Sequence, residues 1–149
     1  MLKLKILGLG ILFLVCSVSG FAASVSLKKR SVKTEALLKS FYSLAELVRI
    51  GGFEISELCE RCFGGAVKFE CGAFFYDSEG LKEEDISFLE DFFSSFGILD
   101  KGGEYERTRF YTGLLEMRVK KAKEIYAERG RLYRNLGLMA GLTIFIFFL

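Results

Sequence analysis

The chain has 149 residues, 51% apolar and 15% aromatic, with a mean hydropathy of +0.31; this excludes a disordered chain and fits a single domain. The net charge is only +2, and all 19 acids lie between positions 28 and 134 with 19 of the 21 basic residues. That segment is formally neutral and lacks the basic footprint of a nucleic-acid binder. Histidine is absent, which excludes hydrolases built on Ser/His/Asp or Cys/His and His-ligated metal enzymes. Proline is absent too, which suits a chain made mostly of helices.

Lys3 and Lys5 precede an uncharged apolar run from Ile6 to Leu27. As a helix it reaches roughly 33 Å, against about 30 Å of bilayer hydrocarbon, so residues 1–27 read as a transmembrane helix. The competing reading is a cleaved signal peptide with its small residues at Gly20-Phe21-Ala22. The run is longer than the ~7 to 15 residues of a signal h-region, which favours the span. Cys16 follows Val15 rather than a small residue, a poor lipobox, and reads as a buried apolar thiol.

From Ser31 the residues Val32, Leu37, Leu38, Phe41, Leu44, Leu47 and Val48 recur at steps of three and four, an amphipathic helix that Gly51-Gly52 stops. A short helix over Ile55 to Phe63 ends at Gly64-Gly65. Ala66 to Tyr76 is compatible with helix or strand and is assigned here to helix. Asp77-Ser78-Glu79-Gly80 reads as a turn. The acidic turn Glu83-Glu84-Asp85 then opens a helix with Ile86, Leu89, Phe92, Phe93 and Phe96 on one face, ended by Gly97. After a loop, Asp100-Lys101-Gly102-Gly103, a charged helix runs from Glu104 to Arg134. Its stripe Thr108, Thr112, Leu115, Val119, Ala122, Tyr126, Arg129 and Tyr133 is apolar only in part, so it packs on its own domain rather than on a partner coiled coil. Eleven of the 16 phenylalanines fall between 28 and 134, and those left outside the core would form a patch for a neighbouring protein.

Leu136 to Leu149 is again uncharged. It gives about 21 Å of helix, short for a span unless Leu132, Tyr133 and a snorkelling Arg134 extend it. Its terminal position after a basic helix assigns residues 135–149 to the membrane. Ten basic residues, from Lys28 to Lys33 and from Lys120 to Arg134, flank the two apolar runs on their inner sides, against Lys3 and Lys5 outside. The basic bias places residues 28–134 in the cytoplasm and counts against the signal peptide. Gly137-Leu138-Met139-Ala140-Gly141 and Gly20-Phe21-Ala22-Ala23-Ser24 carry small residues one turn apart, the spacing that lets helix backbones approach in lipid.

Cys59-Glu60-Arg61-Cys62, with Cys71 nine residues on, is the one chemical-looking motif. A closed zinc site needs four ligands, and without histidine it would need a carboxylate or a second chain. A redox pair belongs at a strand-to-helix junction, whereas this motif sits inside a short helix. Cys59 and Cys62 therefore read as an apolar face with Leu58 and Phe63, and a membrane-tethered thiol oxidoreductase or metal-binding protein remains the alternative function. An exported protein with one span is a third reading. Glu83-Glu84 and the pair Glu104 and Glu106 read as helix starts and solvated faces. No catalytic residue, cofactor or metal ligand is assigned, and no nucleic-acid or small-molecule partner is expected.

The sequence from Glu128 onward, with Tyr133, Arg134, Leu136, Gly137 and Gly141, resembles the C-terminal signature of the stage III sporulation protein AB family. Gly20-Phe21 at the close of the first span and Phe96-Gly97-Ile98-Leu99-Asp100 are similar to two further family stretches. The centre departs from the pattern: Phe53-Glu54-Ile55 stands where the family has Thr-Pro-Leu, the stretch from Cys62 to Leu81 is shorter, and the glutamine after the aspartate loop is missing. The resemblance implies an all-α fold with a helical cytoplasmic domain between two transmembrane helices, similar to the cytoplasmic domains of the type II secretion platform protein F. It also implies a non-enzymatic scaffold in the secretion-like channel complex linking mother cell and forespore. The implied partners are other membrane subunits of that complex, its cytoplasmic ATPase and membrane lipid.

Overall fold

The structure, a computed structural model, describes Leu2–Phe148. Its elements in chain order are α1 (Leu2–Ile50), α2 (Ile55–Phe63), β1 (Val67–Glu70), β2 (Ala73–Tyr76), α3 (Glu83–Ser94) and α4 (Lys101–Phe148). Helix accounts for 79% of the chain, so the helical expectation holds in outline. The chain divides into two compact units, one of α1 up to Ser31 with α4 from Lys121, the other Val32–Lys120.

In the second unit, α1 buries Leu37, Phe41, Leu44 and Val48 at steps of four, three and four, a stripe down one face. Gly51 and Gly52 then take φ of 76° and 87°, a conformation costly for other residues, and end the helix. Helix α2 starts and stops where its glycine boundary predicts; Gly64 closes it in the left-handed region and donates its N–H to the Glu60 carbonyl at 3.1 Å.

The core is built on phenylalanine. Phe41, with no exposed surface, meets Phe92 at 4.8 Å between ring centroids and Phe63 edge-on at 5.8 Å, while Phe92 touches Phe93 at 5.0 Å. Each such ring contributes about 1.5–3 kcal/mol by burial, with somewhat more from edge-on geometry. Phe63, Phe88, Phe93 and Phe96 complete the cluster, whereas Phe75 and Phe110 remain exposed.

One assignment is corrected. Ala66 to Tyr76 is not a helix: β1 and β2 pair antiparallel, Val67 opposite Tyr76 and Glu70 opposite Ala73. Val67-Lys68-Phe69-Glu70 alternates apolar and charged residues with the period of a half-buried strand. The two-residue loop takes φ of 54° at Cys71 and 79° at Gly72, the two positive values of a type I′ turn. The hairpin base is held by the Asp77 N–H on the Ala66 carbonyl at 3.0 Å and by Lys33 Nζ, which donates to Asp77 Oδ2 at 2.7 Å.

A second correction concerns Gly102 and Gly103, expected in a loop but lying in the first turn of α4. Asp100 caps that helix: its Oδ1 accepts the Gly103 N–H at 3.2 Å and its carbonyl accepts the Glu104 N–H at 2.9 Å. The α4 stripe is buried as the spacing predicts at Thr108, Thr112, Leu115, Val119 and Ala122. The two threonines satisfy their hydroxyls by donating to carbonyls one turn back, both at 2.7 Å. Arg107 donates to the Ser95 and Phe92 carbonyls at the end of α3, which has no basic residue of its own in its last turn.

In the first unit, α1 and α4 run antiparallel, with Phe13 beside Gly141, Gly20 beside Gly137 and Ser24 beside Gly130. Large apolar side chains point away from this contact, among them Leu14, Val15 and Val18 on α1 and Met139, Ile146 and Phe147 on α4. Among the described residues one helix, α1, is long and apolar enough to cross a membrane, and its apolar stretch is not buried inside the protein.

Candidate functional site

The residues singled out in the sequence gather at two places, one in each unit. The first is a glycine seam. A Cβ on Gly20 would lie 2.7 Å from the Tyr133 carbonyl oxygen and 2.9 Å from Gly137 Cα, and one on Gly137 would lie 3.0 Å from both the Cys16 carbonyl oxygen and Gly20 Cα. These are backbone atoms, which cannot rotate away, so only glycine allows this approach. Gly141 sets the depth of the next turn, where a Cβ would lie 2.7 Å from the Phe13 ring.

Gly20, Tyr133 through its backbone, Gly137 and Gly141 are therefore brought together. Phe21 and Leu136 are not: both turn outward, 59% and 53% exposed. Arg134 also lies off the seam, on the wall of an open cleft with Ser24, Tyr126, Ala127, Gly130 and Arg131. Cys16, expected to be buried, is half-buried and serves the seam through its carbonyl. Gly130, which by residue type alone could interrupt the charged helix, instead continues the line of seam glycines a heptad before Gly137 and is buried beside Tyr126 and Ser24.

The second place is the corner between α3 and α4. Gly97 has φ of 89°, and a Cβ there would sit 2.6 Å from Ile55 Cδ1. Asp100 caps α4 as described above. The corner is organised by Glu104, whose Oε1 accepts the Gly97 N–H at 2.8 Å and the Leu99 N–H at 3.1 Å. Expected on a solvated face, Glu104 is instead 6% exposed, and its Oε2 is buried with no hydrogen-bond partner. Only Glu106 of that pair faces solvent. The available signal was that Glu104 opens the buried stripe Thr108, Thr112, Leu115. Beside it Lys101 donates to the Ile50 carbonyl at 2.7 Å, placing a cation at the C-terminal end of α1. Leu47, Phe53, Ile55, Leu58, Phe96 and Glu104 line a cavity of about 210 Å³ between these elements.

The cysteines form no such constellation. Cys59 is buried, Cys62 half-buried and Cys71 exposed at the hairpin turn, and all are free thiols. Burial, with a smaller contribution from the neighbouring Cys62, pushes the Cys59 thiol up to about 11, and burial raises Cys62 as well. A thiol nucleophile needs the opposite shift, and nothing at this site supports thiol chemistry. Among the described residues no group of three His, Cys, Asp or Glu side chains is placed to hold a metal ion.

These features define a mostly helical protein with a long apolar N-terminal helix, in which the selected residues set backbone distances and hold a corner. The family model for stage III sporulation protein AB (spore_III_AB) matches residues 70–149, more than half of the chain. The protein belongs to the stage III sporulation protein AB family, and its role lies in stage III of sporulation. No curated protein and no solved structure matches the chain. Gly97, Asp100 and the residues from Tyr133 to Gly141 fall inside the family match, and Gly20 and Phe21 precede it.

Proposed function

We propose that this protein is a non-enzymatic platform subunit of the secretion-like channel complex between mother cell and forespore, required for endospore development. Its apolar helix ends span the membrane at residues 1–27 and 135–149, and residues 28–134 form a helical domain facing the mother-cell cytoplasm. The observation that carries this reading is the inside-out character of the first unit. Its helices meet through glycine while Leu14, Val15, Val18, Met139, Ile146 and Phe147 point outward. Such a pair gains nothing by burial in water and is at home in lipid, where close backbone packing holds helices together. The second apolar end is short, and Leu132, Tyr133 and a snorkelling Arg134 lengthen it. The ten flanking basic residues support this orientation.

The cytoplasmic domain takes the part that the family resemblance implies, a platform between the cytoplasmic ATPase and the other membrane subunits, similar to platform protein F of type II secretion. Exposed apolar residues, Phe110 and Met117 a heptad apart on α4 and Ile98 and Leu99 beside the Asp100 cap, are the surfaces offered to those partners. The test is the count of heat-resistant spores from a deletion strain carrying the wild-type gene or the Cys59→Ser/Cys62→Ser variant. The expected result is a severe loss on deletion and equal rescue by both. Normal spore numbers from the deletion strain would overturn the proposal, and labelling of Cys71 by an impermeant maleimide in intact cells would overturn the orientation.

A further inference from the structure

The cleft beside the glycine seam has a composition that the platform role does not use. It encloses about 490 Å³ and is lined by Ser24 from α1 and by Tyr126, Ala127, Gly130, Arg131 and Arg134 from α4. Arg131 and Arg134, three residues apart on α4, turn the same way. A guanidinium only donates hydrogen bonds and matches the paired oxygens of a phosphate, and the Ser24 and Tyr126 hydroxyls add two further donors. No carboxylate lines the cleft. Neither arginine makes an ion pair among the described residues.

Gly130 keeps the cleft open. A Cβ there would lie 2.9 Å from Tyr126 Cδ2 and 3.5 Å from Ser24 Oγ, narrowing the space between the ring and the opposite helix. A glycine in the middle of a helix costs about 1 kcal/mol relative to alanine, so an open cleft accounts for a position that helix propensity disfavours. The depth is equally specific. Arg134 is the last charged residue of the chain, and Ser24 lies one turn beyond Gly20 towards Lys28, so the cleft sits where the apolar ends give way to charge. Phe21 and Leu136, the two motif residues that the seam leaves out, turn outward on the same helices within a turn of it.

We propose that this cleft binds the phosphate group of an anionic phospholipid, Arg131 and Arg134 clasping the phosphate and the outward apolar side chains lying against the acyl chains. The proposal rests on the membrane reading of the first unit. The test uses the full chain in detergent, with phosphatidylglycerol or phosphatidylcholine added and bound lipid read by native mass spectrometry. Wild type is expected to retain phosphatidylglycerol more strongly than phosphatidylcholine, which has the same phosphate but whose choline cation is repelled by the paired guanidinium groups; equal retention of the two would overturn the preference for an anionic lipid. Arg131→Gln/Arg134→Gln should weaken retention by roughly tenfold or more. Gly130→Ala should weaken it without removing charge, and Lys120→Gln/Lys121→Gln, which loses the same charge outside the cleft, should leave it unchanged.

Equal loss in the two charge-reduced variants would overturn the site in favour of diffuse attraction. Displacement of phosphatidylglycerol by inorganic phosphate at low millimolar concentration would assign the cleft to a free anion and overturn the lipid. Alkaline carbonate extraction of cell membranes separates this proposal from the one beneath it. Release of the wild-type protein refutes the membrane reading itself, whereas retention combined with arginine-independent lipid binding refutes the cleft alone.

Discussion

Glu104 should hold the corner between α3 and α4 through one oxygen while its other oxygen costs stability. Replacing it by alanine removes the acceptor of the Gly97 and Leu99 N–H groups. Two bonds to a charged acceptor are worth about 1.5–3 kcal/mol each, reduced here because both donors lie at the edge of the domain and can reach water. Removing the buried, unpartnered Oε2 returns about 1–3 kcal/mol. The net cost of Glu104→Ala is then about 2–3 kcal/mol. Glu104→Gln keeps both acceptor bonds at roughly half strength and exchanges the unpartnered carboxylate oxygen for a neutral amide that is also unpartnered, so the relief is partial and the net cost is about 1 kcal/mol. For a unit the size of Val32–Lys120 this predicts a fall in Tm of about 10–20 °C for alanine and about 4–8 °C for glutamine. The assay is thermal unfolding of the full chain in detergent, followed by near-ultraviolet circular dichroism of the tyrosines. Glutamine as damaging as alanine would mean that the charge of Oε2 has an essential partner, and an unchanged alanine variant would mean that the corner does not depend on Glu104.

Other outcomes follow from the same geometry. Gly20→Ala and Gly137→Ala should each separate the paired helices, at about 1–3 kcal/mol less about 1 kcal/mol of gained helix propensity, while Gly10→Ala, with nothing within 4 Å of its Cβ, should not. Distances between spin labels on the two helices in detergent will show it. Cys71→Asn should stabilise the hairpin by about 0.5–1 kcal/mol, because asparagine tolerates the left-handed turn better than cysteine, and a higher Tm is the readout. At pH 8 iodoacetamide should modify exposed Cys71 first and spare Cys59. With its folded-state value raised to about 11, Cys59 favours the native state below the ordinary thiol range, and that contribution is lost as pH rises through about 11. Asp77 is shifted the other way, its carboxyl held down first by its hydrogen bond from Lys33. Its contribution is therefore present above the ordinary carboxylate range and lost as pH falls through its lowered value, and Lys33→Met should weaken that acid-side dependence of the Tm.

The helices were legible wherever glycine punctuation and a continuous stripe agreed: Gly51-Gly52 after α1, the limits of α2, and the buried series from Thr108 to Ala122. The hairpin was harder to read because its strands have four residues each, and because its turn is Cys71-Gly72 where asparagine or aspartate would have announced a type I′ geometry. Gly102-Gly103 misled for a different reason. Two glycines look like a break, but a capping aspartate two residues before them is enough to start a helix through them. Within the candidate sites, the seam glycines were visible from spacing alone, since close backbone approach demands that residue type. Phe21 and Leu136 shared the motif but not the contact, because neighbours of a seam glycine on a helix turn away from it. Glu104 was harder to read: a carboxylate at a helix start normally faces solvent, and only its place at the head of the stripe Thr108, Thr112, Leu115 marked it as buried.

The pairing of Gly20 with Gly137 also sets an order of events during synthesis. One half of the seam emerges with α1, and its counterpart follows only after α2, the hairpin, α3 and most of α4 have left the ribosome. For that interval the first half waits unpaired, and glycine is well suited to waiting, because it offers neighbouring helices no polar side chain with which to form a wrong partnership. The same delay exposes the chain to exchange, with the α4 of one newly made copy closing on the α1 of another. A crowded ribosome cluster translating this protein is where such swapped pairs would arise.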